Sequence, residues 1–132
     1  MLLDYLEKLC KELKIKIPKL NKDKLYPLTI GDESMVLKDL DPGVELHAKI
    51  REVPTKKKEE LFIFLMRANL LGQGTGKARI GIDEREKFLT LSLGLPYEMN
   101  YQTFKETIED FVNYLIYWRD EVTKFESEES VY

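Results

Sequence analysis

Residues 61–71, "LFIFLMRANLL", constrain the fold more than any other stretch of this 132-residue chain. Wound as a helix at roughly 100° per residue, the segment is apolar around nearly its whole circumference, and only Arg67 and Asn69 interrupt it. A helix that is apolar on every side has to be covered on every side. One sheet in a small domain covers one side only. The far side needs a further cover, which another helix or a second copy of the chain would supply equally well. Pro54-Thr55 opens this helix in the sequence, with Thr55 as its expected N-cap.

The remainder of the chain supplies the sheet and two further helices. Leu2, Leu3, Tyr5, Leu6, Leu9, Cys10 and Leu13 share one helical face, and Asp4, Glu7, Lys8 and Lys11 the other, so residues 2–13 read as an amphipathic helix. Three strands follow, at 25–30, 34–40 and 44–53, separated by "GDES" and "DPG" turns. Pro27 cannot donate to a ladder, which places the first strand at an edge. In the third strand Val44, Leu46, Ala48 and Ile50 alternate with Glu45, His47, Lys49 and Arg51, the pattern of an antiparallel sheet with one wet face. Beyond the apolar helix, Ala78, Ile80 and Ile82 alternate in 77–83, and Leu89, Leu91, Leu93 and Leu95 in 87–95, around a charged "DEREK" tip. Residues 100–125 read as a long helix with Phe104, Ile108, Phe111, Leu115, Trp118 and Val122 as its apolar stripe. The order α-β-β-β-α-β-β-α predicts an α+β fold, a five-stranded antiparallel sheet with helices on one face. It forms a single domain over 1–125, followed by a loose acidic tail at 126–132.

"LLGQGTGKAR", residues 70–79, invites a phosphate-loop reading, and its spacing refuses it. With Gly76-Lys77 as the G-K pair, the first required glycine falls on Leu71 and the magnesium-binding hydroxyl on Ala78. The glycines also follow a helix instead of opening one, so an anion would meet the negative end of the helix dipole. A left-handed cap at Gly72, with Gly74 and Gly76 reversing the chain, accounts for them better. A small nucleotide-binding enzyme using residues 72–77 stands only as a lesser alternative.

No catalytic constellation emerges elsewhere. His47 is the sole histidine and lies on the polar face of a strand; Cys10, the sole cysteine, lies on the apolar side of the first helix and reads as core. The pair gives no metal-ligand spacing, so neither a metal nor a cofactor is expected. The net charge of −3, with both signs abundant, does not mark a nucleic-acid binder. "MLLDYLEKLCKELK" scatters charges where a signal peptide needs an unbroken apolar core, and no run reaches membrane-span length. The lone cysteine suits a reducing cytosol.

The segment "FLMRANLLGQGTGKARIGIDEREKFLTLSLGLP" followed by "FKETIEDFVNYLIYWRDEV" resembles the class I type III secretion chaperones of the CesT/SycE-like kind. The resemblance rests on Asn69, Leu70, Gly72 and Gly74 to Gly76 after a helix, on Gly81-Ile82-Asp83 ending a strand, and on Leu95-Pro96 closing a leucine-rich one. Phe111, Val112 and Trp118 in the last helix complete it. It covers the C-terminal half in motif and the whole chain in element order.

The resemblance implies a non-enzymatic homodimer in the bacterial cytoplasm, serving virulence. Such a protein binds the N-terminal region of secreted effectors, keeps it extended and secretion-competent, and delivers it to the secretion ATPase. It implies a dimer contact carried by Leu61, Phe62, Leu65, Leu70, Leu71 and Ile80. For effector binding, the free first-strand edge and the pockets beside the first helix point to Leu25, Leu28, Ile30 and Val36. A regulatory protein-binding module of the same fold, unconnected with secretion, is the alternative reading.

Overall fold

The computed structural model describes residues 2–71 and 78–127, excluding the side chain of Leu71. The elements run α1 (Leu2–Leu13), β1 (Tyr26–Ile30), β2 (Glu33–Asp39), β3 (Val44–Glu52), α2 (Lys58–Leu71), β4 (Arg79–Ile82), β5 (Phe88–Leu95) and α3 (Tyr101–Ser127). The strands form one antiparallel sheet in the order β1-β2-β3-β5-β4, so β1 and β4 are its edges. Pro27 lies in an edge strand, where its missing N–H does least harm.

Alternation sets the layers. Val44, Leu46, Ala48 and Ile50 are buried against the helices, while Glu45, His47 and Lys49 face solvent. Leu28, Met35, Leu37, Leu89 and Leu91 extend the buried face, and Leu2, Leu6, Leu9, Phe104, Ile108, Phe111, Leu115, Trp118 and Val122 close over it from α1 and α3. Leu3 and Leu13, on the flanks of the α1 stripe, remain about two-fifths exposed (42% and 40%).

The hairpins follow local chemistry. Gly31 at φ 60° is the first residue of the two-residue β1–β2 turn, the position such a turn reserves for glycine. Gly43, at φ 99°, ends the "DPG" turn, and a Cβ there would lie 2.0 Å from the Leu95 carbonyl oxygen. Asp83 closes the β4–β5 hairpin by accepting from the N–H groups of Lys87 and Phe88 at 2.8 and 3.2 Å.

The strand ends shift by one or two residues from the sequence expectation, and two helix ends differ for identifiable reasons. Thr55 is not the cap of α2: the helix begins at Lys58, and the carbonyl of Lys57 takes the first helical N–H, from Leu61, at 2.9 Å. α3 runs on to Ser127, because Glu126 pairs with Arg51 of β3 and Phe125 stacks on Phe64. The glycine segment 72–77 and the tail 128–132 lie outside the described residues.

β3 carries a bulge between Lys49 and Arg51. The carbonyl of Ile50, at that bulge, accepts from Arg119 Nε at 2.8 Å. The same guanidinium donates to the carboxylate of Glu33, which is buried at the start of β2. One side chain on α3 thus ties together the bulge and the β1–β2 hairpin, satisfying a carbonyl and a carboxylate that burial would otherwise penalise.

Candidate functional site

α2 is covered on two flanks and bare on a third. Leu61 and Leu65 are buried in the subunit at 0% and 4% exposure. Phe64 leans on α3, with ring centroids 5.8 Å from both Trp118 and Phe125. Toward β4, Phe62, Leu65, Met66 and Asn69 line an apolar groove of about 230 Å³ with Ile80, Gly81, Ile82 and Leu89. Outward, Ile63, Met66 and Leu70 stand 53%, 67% and 84% exposed, with Arg67 among them. Their i, i+3, i+7 spacing puts them on one helical face. The expected contact residues therefore divide: Leu70 is on the surface, Phe62 half-buried, Leu61, Leu65 and Ile80 inside, and the Leu71 side chain outside the described residues.

A second apolar depression lies on the far side of the molecule. Leu9 and Leu13 of α1, Ile30 of β1 and Ile108, Glu109, Val112 and Asn113 of α3 line a cleft of about 240 Å³. It adjoins the β1 edge. Ile30 and Glu33 flank a two-residue turn and so form a hydrogen-bonded pair, after which pairs alternate along the hairpin. Pro27 and Thr29 thus turn their peptide groups away from β2. Since proline has no N–H, the outward groups are the Thr29 N–H and the carbonyls of Pro27 and Thr29. Two residues further back, the peptide groups of Leu25 are already used: its N–H donates to Asn21 Oδ1 (3.0 Å) and its carbonyl accepts from the Asn21 N–H (2.9 Å).

The four residues expected at this site do not form one surface. Ile30 lines the cleft, and Leu28 is buried beneath the sheet. Leu25 precedes β1, and Val36 lies on the opposite, wet face, opposite Pro27 and His47. A period-two count separates Val36 from Met35 and Leu37, so its side was readable from the sequence. Leu9, Leu13 and Ile108 escaped because they read as ordinary stripe residues of two helices, and Val112 lay outside the stripe and entered only through the family resemblance; their meeting at Ile30 makes the cleft.

Titratable groups offer little for reaction chemistry. Burial raises the Cys10 thiol above its usual value, and His47 is exposed on the wet face between Val36 and Ser92 of the neighbouring strands. Among the described residues no group of three or more His, Cys, Asp or Glu gathers to hold a metal. Among the same residues no helix is long and apolar enough to cross a membrane.

Residues 4–119 match the family model of the Tir chaperone protein (CesT) family. The chain belongs to this family. The CesT-family assignment agrees with the architecture of solved structures that share little sequence. A chain in the ExsC–ExsE complex is 13% identical, with 90% of this chain and 91% of that one covered at a TM-score of 0.72. The HopA1–SchA chaperone–effector complex gives 14% identity, coverage of 89% and 91%, and a TM-score of 0.68. The heterodimeric ExoU–SpcU complex of the Pseudomonas aeruginosa type III secretion system gives 12%, coverage of 96% and 95%, and 0.61. No curated protein matches the sequence.

Proposed function

We propose that this CesT-family protein is a type III secretion chaperone that binds an extended N-terminal region of one or more secreted effectors in the bacterial cytoplasm, works as a homodimer, and hands its client to the secretion ATPase without catalysing a reaction itself. The observation that carries the reading is the apolar cleft at Leu9, Leu13, Ile30, Ile108 and Val112 lying beside an open sheet edge. An extended polypeptide satisfies both at once: its backbone meets the Pro27–Thr29 edge while alternate side chains enter the cleft. Two of the structurally similar proteins come from complexes named as chaperone–effector or type III secretion assemblies, which supports the same use here.

The dimer contact in this reading is the bare face of α2, Ile63, Met66 and Leu70, with Phe62 and the β4 groove at its margin. Leu61, Leu65 and Ile80 back it from within, and Leu71, whose side chain lies outside the described residues, belongs to the same proposed contact. At the client site Ile30 enters the contact directly, Leu28 supports it from beneath, and Leu25 and Val36 flank the edge strand. The deciding experiment is purification of the protein from its native cell, with mass spectrometry of what accompanies it. A secreted protein that is lost when its N-terminal region is deleted is the expected result; a partner retained through another region, or one that is never secreted, would favour the regulatory module.

A further inference from the structure

The two edges of the sheet are not equivalent. In β4 the Asp83 N–H donates to the Phe88 carbonyl at 3.0 Å, so the next pair, Ile82 with Leu89, is a non-hydrogen-bonded one. By alternation Ile80 and Ile82 both turn their peptide groups away from β5, toward the place where another strand would pair. At Ile80 that place is taken. The Asn69 carboxamide of α2 donates from Nδ2 to the Ile80 carbonyl at 2.7 Å and accepts the Ile80 N–H on Oδ1 at 2.8 Å. The side-chain amide has the donor and acceptor of a peptide group and stands where a neighbouring strand would stand. With Ile80 closed, only Ile82 still offers outward groups on this four-residue strand, and one residue cannot register a ladder.

We propose that Asn69 is an edge cap that stops β4 from accepting another strand, so that strand addition is confined to β1 and copies of the chain meet across α2 and β4 through side chains. An exposed strand edge is a template for pairing with any other chain, a particular hazard for a protein whose surface keeps Met66, Leu70 and Ile82 uncovered nearby. The cap itself stands whether or not the client reading is right, while the meeting of copies across α2 and β4 rests on the dimer contact proposed above.

The test uses Asn69→Leu, which keeps the size and removes both hydrogen bonds, and Asn69→Ser, which is too short to reach Ile80. Hydrogen exchange reads the cap, and sedimentation velocity over rising concentration reads the edge. In the native protein the Ile80 amide exchanges far more slowly than an unstructured one. In either variant it exchanges roughly fivefold or more faster, since a hydrogen bond contributing about a kcal/mol has gone, and the protein assembles beyond its native species as concentration rises. Should Asn69→Leu fail to fold, Asn69→Ser and the native exchange rate still decide. An unprotected Ile80 amide in the native protein, or a variant with fast Ile80 exchange and unchanged assembly, overturns the proposal.

Discussion

Replacing Met66 and Leu70 together by glutamine should take the proposed dimer apart and leave the subunit folded. The two side chains are 67% and 84% exposed, so the subunit's core loses nothing, and glutamine is a good helix former. Fully burying an apolar side chain contributes about 1.5–3 kcal/mol, so each of these, burying most of its area on association, contributes about 2 kcal/mol. In a two-fold interface every substitution occurs twice. Four such losses total about 8 kcal/mol, and if rim wetting keeps half the area hydrated the loss is still about 4 kcal/mol, close to a thousandfold in the dimer dissociation constant. Sedimentation equilibrium of native and variant protein measures this, with circular dichroism to establish that the helices persist. A variant that dimerises within tenfold of the native protein would show that the bare face of α2 is not where the copies meet.

Two further outcomes follow from the same geometry. Arg119→Met should cost about 2 kcal/mol in denaturant unfolding, because it strands the buried Glu33 carboxylate and the Ile50 carbonyl, whereas Glu33→Gln should cost less since the amide oxygen still accepts; a cost for Arg119→Met below about 0.5 kcal/mol refutes the clamp. The hydrogen bond from Lys105 at 2.9 Å holds the Glu12 carboxyl below its ordinary value, so the stabilisation is present above the unfolded-state value and is lost as pH falls through the lower folded one. Lys105→Met should move the Glu12 midpoint upward in a carboxyl NMR titration, and an unmoved midpoint would separate the two groups.

Much of the architecture was legible because it follows from local rules. Period-two alternation in 44–53 identified the buried face of β3, and Pro27 identified β1 as an edge. The stripe from Phe104 to Val122 gave α3 its buried side. What sequence could not reach are the features made by distant residues. Arg119 reads as one more cation on a helix; only the bulge at Ile50 and the burial of Glu33 give it two partners. Asn69 reads as an interruption of an apolar helix until Ile80, eleven residues on, is seen to fill both of its hydrogen-bonding positions. The bare stripe of α2 was hidden for a different reason: a helix apolar on all sides has no readable inside, and the neighbours that cover Leu61, Leu65 and Phe64 decide which side remains.

The proposed client site gives a protein built this way a reason to pair its subunits. The cleft of about 240 Å³ is smaller than the roughly 300–1,000 Å³ of a drug-sized ligand pocket, so it suits an anchor side chain or two. Such anchors contribute about 1.5–6 kcal/mol. The three outward groups at Pro27 and Thr29 add about 1 kcal/mol each. Against this, ordering a strand of four residues costs about 4–8 kcal/mol in backbone entropy alone. A single edge and cleft therefore come out close to balance and hold a short segment weakly. Tight capture requires further contacts on the same polypeptide, and a dimer presents a second copy of the site at high effective concentration to a client long enough to reach it. An effector segment cut to the length of one site should accordingly bind at least about a hundredfold more weakly than the full N-terminal region by titration calorimetry, and undiminished affinity in the short segment would mean that one subunit suffices.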